Sequence, residues 1–342
     1  FVQFHPTGLA STGVLLSEAC RGEGGYLINN QGERFMARYA PEKMELGPRD
    51  LVARSIEIEI REGRGFGEGM GSYVLMDLRH LGAERIMERL PQVRELALSF
   101  EGVDMVTDPV PIRPSNHYMM GGIDVVDFRT CATAVDGLHA AGECSCISVH
   151  GANRLGGNSV SEVVFFGRQA GIGAADTARR RELPAADRLD ELNRQWTERF
   201  DAMCGKKDGE SVFAIRDRMA EAMWNGVGIF RDEAGMAAAE AVVDECIAAY
   251  ADASIGDPSK IYNQAFMNYV ELGNILQIAK TVCMGARARK ESRGSHSRED
   301  FPQRDDERFL AHTLVSLAKD GSYSIDYRPV SVTKLPPEKR TY

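Results

Sequence analysis

An α/β region followed by an α-helical bundle and a polar tail is the fold class that the 342-residue sequence predicts. Strand-like and helical runs alternate over the first half, and a strand, a glycine-rich loop and a long helical run then follow one another. About a hundred residues of amphipathic stripes come after them. At 43% hydrophobic and 27% charged, the chain holds enough apolar material for more than one core. Four regions are expected: a mixed α+β region over 1–112, the strand, loop and helix region over 113–183, a helical region over 184–289, and a polar tail over 290–342.

In the first region "FVQFHPTG" reads as a strand running into a turn, and "GYLINN" and "YVLMDL" alternate like strands. "RDLVARSIEIEIREG" places apolar residues at helical spacing and ends on Gly63, and "IMERLPQVRELALSF" is a second helix interrupted by Pro91. The glycines of "GRGFGEGMGS" lack the preceding strand and the GxGxxG order of a phosphate loop, so that stretch reads as a flexible connector. From Arg113 onward, "GGIDVV" and "GLHAAGE" read as short strands leading into "HGANRLGGNS" and the helix "SVSEVVFFGRQAGIGAADTA". Unpaired N–H groups and the helix dipole make such a loop receptive to anions. Beyond "RRRELP" four striped segments predict a bundle with Trp196, Trp224, Phe266 and the methionines in its core. From Lys290 the chain is polar and punctuated by proline, with a strand pair expected in "YSIDYRPVSVT".

A net charge of −9 argues against a nucleic-acid surface. Seven cysteines without a paired CxxC point to reduced thiols rather than a disulfide framework or a metal site. No apolar run has the length of about 18 residues that a membrane span requires. The first residue is not methionine and no signal peptide is visible, so the chain reads as the rear part of something longer.

Histidines and arginines recur beside glycine or proline in five places. They are His5 in "QFHPTG", Ser17, Glu18 and Arg21 in "LSEACRGEGG", Arg49 in "ELGPRD", His117 in "SNHYMMGG", and Arg154 in "HGANRLGGNS". Together they suit a small dianion, because guanidinium groups meet carboxylates bidentately and stay charged away from water. Glu18 and Arg21 are three apart and share a face if that stretch is helical, where a local salt bridge is the plainer role.

"FVQFHPTG", "SEACRGEGG", "ELGPRD", "HYMMGG", "GECS", "HGANRLGGNS", "ARKESRG" and "LPPEKRTY" resemble, in this order, the flavoprotein subunits of succinate dehydrogenase and fumarate reductase, the complex II family. The resemblance runs nearly end to end. It implies a capping domain over 1–112, the second half of a Rossmann-like FAD domain over 113–183, and the helical region and tail behind them. The family's GxGxxG strand and helix, and the histidine that commonly carries covalent FAD, lie outside this sequence. By resemblance, His5, Ser17, His117 and Arg154 hold the substrate carboxylates, and Arg49 is the proton donor, with Glu18 and Arg21 relaying protons. Glu143, Asn158 and Ser159 would meet the FAD. Ser17 stands where the family often has threonine, and the hydroxyl is kept.

The implied activity is interconversion of succinate and fumarate. Electrons would be exchanged with an iron-sulfur subunit and with quinone through a membrane anchor, at the cytoplasmic face of the inner membrane. An arginine with a pKa above about 12 is a poor acid for most purposes. Hydride delivery to one alkene carbon leaves carbanion character on the other, however, which takes a proton from a fixed guanidinium. Two other readings compete: an L-aspartate oxidase, which shares the HPT, PRD and HGANR motifs, and an inactive interaction module for this stretch alone.

Overall fold

The computed structural model describes residues 1–338. The last four residues of "LPPEKRTY", and with them the end of the region expected over 290–342, lie outside the described residues. Two compact units emerge, one over Val2–Met120 and one over Gly121–Pro336.

The first unit contains β1 (Val2–Leu9), α1 (Ala19–Gly22), β2 (Tyr26–Ile28), α2 (Met36–Tyr39), α3 (Arg49–Arg61), β3 (Val74–Asp77), α4 (Gly82–Arg89), α5 (Pro91–Glu101) and β4 (Val110–Met119). Its strands form an antiparallel sheet in the order β1-β4-β3-β2. Helix α3 lies on β1 and β4 and buries Val52, Ala53 and Ile56, the helical spacing read from the sequence. They join Leu9, Leu27, Val74, Met76, Ile86 and Ile112 in one core. Glu59, also on α3, is buried without cost in unmet hydrogen bonds, because Asn29, Arg38, Tyr39 and Arg64 all donate to it. The single interrupted helix expected around Pro91 is two helices, since proline removes the N–H that would continue α4 and instead begins α5. The expected cut at 112/113 falls inside β4, and the compact unit runs on to Met120.

The second unit begins with β5 (Ile123–Asp127), β6 (Ala132–Thr133) and β7 (Ser145–Cys146), with β5 parallel to β7 and antiparallel to β6. "GLHAAGE" is not a strand; it contributes one bridge, His139 to Ala132, because turns at either end leave it no length to pair. Helix α6 (Asn158–Arg180) follows the glycine-rich loop. Four helices come next: α7 (Ala186–Gly205), α8 (Val212–Val227), α9 (Glu233–Tyr250) and α10 (Gln264–Ala288). Side chains of Ser211, Asp232 and Asn263 cap α8, α9 and α10. Ile215, Met236, Val243, Leu272 and Leu276 form the shared core, with Met203 and Met219 also buried. Trp196 departs from expectation at 48% exposed, and Trp224 and Phe266 are half-buried. Helix α7 touches its neighbours over only part of its length, which leaves its apolar stripe on the surface.

Behind α10 come the short helix α11 (Asp306–Phe309) and the hairpin β8 (Ala311–Leu317) and β9 (Tyr323–Pro329). The strand pair expected within "YSIDYRPVSVT" is instead β9 paired with an earlier strand, the run "AHTLVSL". Part of the polar stretch after Lys290 is interior: Glu291, His296 and Arg298 are all buried. Ion pairs satisfy it, Arg289 and Arg293 with Glu291 and Arg298 with Asp300, so polarity there does not mean surface.

Candidate active site

In the first unit the site is built on irregularities of the β1/β4 pair. Between Gln3 and Phe4 the partner strand steps from Tyr118 to Asn116, leaving His117 as an extra residue. Between His5 and Gly8 the partner steps only from Ser115 to Arg113, so β1 carries the extra residue, beside Pro6. Proline, which cannot donate to a ladder, is tolerated at such a place on an edge strand. Bulges re-aim side chains, and here the rings of His5 and His117 stand 5.4 Å apart at 56°.

Thr7 N–H donates to His5 Nδ1 at 3.1 Å, so the proton of the neutral ring belongs on Nε2. That nitrogen is buried and has no hydrogen-bond partner among the described residues. Burial, then the charges of Arg49, His117 and Arg21, push the His5 pKa down to about 2. The result is a neutral ring with an unspent donor. A buried donor of this kind costs about 1–3 kcal/mol, which an anionic oxygen would relieve.

The segment after β1 folds back on it: Leu16 N–H donates to Thr7 O, and Thr7 Oγ1 donates to Leu16 O. This brings Ser17, Glu18 and α1 beside His5. Ser17 Oγ accepts from Ala19 N–H. Arg21, wholly buried, pairs with Glu18 at 3.1 Å, the contact expected from their spacing. One Arg21 nitrogen also donates to Glu45 O and Gly47 O, fastening the loop that leads through Pro48 into α3. Arg49 is the first residue of α3, where the helix dipole disfavours a cation. Glu18 Oε2 compensates by accepting from both Arg49 Nε (2.8 Å) and Nη2 (2.6 Å).

Glu18 therefore stands between two guanidinium groups. Burial alone would raise its pKa, but the Arg49 hydrogen bonds and the two positive charges overrule that and lower it. Burial lowers the pKa of Arg21, opposed by Glu18 and helped by the charge of Arg49. With His5 neutral, two arginines against one carboxylate leave the group net positive. Arg49 keeps 27% of its side chain exposed and Glu18 keeps 49%, so the chain of contacts reaches solvent at Glu18.

In the second unit, Arg154 is buried in the loop between β7 and α6, where Nη1 donates to Leu155 O and to Ser159 Oγ. Asn158 lies 3.2 Å from His150 Nδ1, and His150 Nε2 lies 2.6 Å from Glu162 Oε2. Asn158 and Ser159, expected to meet a cofactor, are thus also engaged within the loop. Glu143 is exposed, in the turn before β7. Gly157, at φ 79°, opens α6 without a side-chain cap, and a Cβ at Gly156 or Gly157 would meet nothing. The N–H groups of Asn158 and Val160 donate to Leu155 O and Gly157 O. Sequence reading passed over Thr7, which sets the His5 tautomer, and the pair His150–Glu162. Thr7 was visible within "HPTG", whereas a pair twelve residues apart carries no local signal.

Residues 1–160 match the FAD binding domain family, and residues 216–342 match the fumarate reductase flavoprotein C-terminal family. These matches place the chain among FAD-binding flavoproteins. The chain is 49% identical over its whole length to the 8-methylmenaquinol:fumarate reductase flavoprotein subunit of Wolinella succinogenes, of which it covers 56%. It is 42% identical to the succinate dehydrogenase flavoprotein subunit of Rickettsia conorii, of which it covers 60%. The solved chain of E. coli quinol fumarate reductase FrdA superposes with a TM-score of 0.89 at 40% identity, over 99% of this chain and 60% of that one. The chain belongs to the flavoprotein-subunit family of succinate dehydrogenase and fumarate reductase, and spans less than two thirds of the length of these relatives.

Proposed function

We propose that this chain carries the substrate chemistry of a flavoenzyme that interconverts succinate and fumarate. The observation that carries the reading is Glu18 held between Arg21 and Arg49, beside the neutral, unspent donor of His5. Arg49 is assigned the proton given to, or taken from, the substrate carbon. Its guanidinium is fixed by two hydrogen bonds to one carboxylate oxygen and so keeps its aim. Glu18, half exposed, and Arg21 restore the proton from solvent. His5, Ser17, His117 and Arg154 are assigned to the substrate carboxylates, and Glu143, Asn158 and Ser159 to FAD. FAD, when bound, supplies the hydride acceptor or donor.

Electrons are assigned to an iron-sulfur subunit and then to quinone through a membrane-anchored partner, with the protein peripheral at the cytoplasmic face of the inner membrane. No helix among the described residues is long and apolar enough to cross a membrane. The test is succinate-dependent dye reduction by the full-length protein, with malonate as competitor and aspartate as control. Activity on succinate that malonate suppresses is expected; activity on aspartate alone would overturn the assignment.

A further inference from the structure

The buried polar segment behind α10 grips the loop that carries Arg154. Arg293 and His296 close a tight reverse turn, with Arg293 N–H donating to His296 O (2.8 Å) and His296 N–H to Arg293 O (3.0 Å). Its tip is Gly294–Ser295. Ala152 O accepts from Ser295 N–H at 3.0 Å and from Ser295 Oγ at 2.9 Å. Gly294, at φ 57°, lies so close that a Cβ there would stand 2.5 Å from Ala152 O. Only glycine fits both the backbone angle and the approach.

The turn is itself fixed from behind. Arg231, buried, donates to His296 Nδ1 at 3.0 Å, and because arginine only donates, that nitrogen must accept. The His296 proton then sits on Nε2, which donates to Arg289 O. Burial and the charge of Arg231 hold the ring neutral, with its pKa down at about 3. Arg231 N–H donates to Ser297 O, and Glu299 N–H donates to Arg231 O. Arg293 is locked to Glu291 and Asp306. On the other side of the loop, His150 is held by Glu162. The loop is thus held by the His150 side chain and by the Ala152 backbone, ahead of Arg154.

We propose that the Arg293–His296 turn is a positioning clamp for this loop, setting Ala152 and through it the place of the Arg154 guanidinium. The proposal rests on the reading of Arg154 as a carboxylate ligand. Gly294 and Ser295 are positioning residues that act through Ala152, and Arg231 acts one step further back, through His296. An error of about 1 Å in such a group can cost on the order of a hundredfold in a reaction that depends on alignment.

The experiment uses the full-length, FAD-loaded protein and reads malonate affinity from the flavin absorbance change, with bound FAD measured for each variant. Arg154→Lys, Ser295→Ala and Gly294→Ala are compared, and Ser295→Ala is repeated in the Arg154→Lys background. Ser295→Ala is expected to weaken malonate about fivefold, and Gly294→Ala about tenfold or more, at unchanged FAD content. In the Arg154→Lys background the effect of Ser295→Ala should vanish, because the clamp acts through that guanidinium. An equal effect in both backgrounds, or none in either, overturns the clamp while leaving Arg154 its role. Unchanged malonate affinity in Arg154→Lys alone removes that role and the clamp with it. Should Gly294→Ala fail to fold, Ser295→Ala decides.

Discussion

Helices α3 and α6 each begin at a cluster of candidate site residues, yet they are seated differently. In α3, Val52 and Ile56 are sealed in the core of the first unit, and Arg49 is the first residue of that helix. In α6, the buried positions are Glu162 and Gly173, while Val160, Val163, Val164, Phe165 and Ile172 are exposed. Beneath it lies a small cluster of Val125, Ala140 and Ile147 with Phe166. Contiguous exposed apolar faces are characteristic of binding surfaces. Arg49 is therefore anchored by hydrophobic packing, and the Arg154 loop by hydrogen bonds.

The largest expected effect tests the anchored end. Arg49→Ala in the full-length protein should lower turnover by about a thousandfold, in the range general acids contribute, while FAD remains bound. Steady-state rates together with the flavin spectrum check both halves of that expectation. Packing comes next: Ile56→Ala should cost about 2–4 kcal/mol in denaturant unfolding. Val164→Ala, at 69% exposed, should stay within about 0.5 kcal/mol in the 342-residue chain. A cost above about 1 kcal/mol at Val164 would break the contrast, by showing the outer face of α6 to be covered in solution.

Acid should act on both units. His5 and His296 have pKa values pushed down to about 2 and about 3, against about 6.5 in an unfolded chain. Between these values the unfolded chain binds protons that the folded chain refuses. Stability is therefore full above about pH 6.5 and falls as pH drops, by up to about 1.4 kcal/mol per pH unit for each ring. Replacing His5 by Asn should flatten the dependence of the melting temperature on pH between about 4 and 6; an unchanged slope would mean that His5 is protonated when folded. The smallest effect lies in the bundle, where Ser211→Ala should cost about 1 kcal/mol by removing the cap of α8, measurable as a lower denaturation midpoint.

Local pattern made much of this legible. The apolar spacing of α3 and of the bundle helices, and the strands Tyr26–Ile28 and Val74–Asp77, follow from periods of 3.6 and 2. The Glu18–Arg21 pair was legible from its spacing alone. Trp196 was misplaced because an apolar stripe says that a face is sticky, not that a neighbour covers its whole length. The strand expected in "GLHAAGE" failed because turns at either end cut it down to one bridge.

By itself the sequence determined which residues carry charge, which faces are apolar, and the ordered motifs that mark the family, since these depend on neighbours a few residues apart. Tertiary structure alone decided that two bulges turn His5 and His117 toward each other, that Glu18 divides its carboxylate between Arg21 and Arg49, and that the polar stretch around His296 is interior. The contacts His5–His117, Glu18–Arg49 and Arg231–His296 each join residues far apart in the chain, and a charged group enters the interior only where the fold brings its partner to meet it.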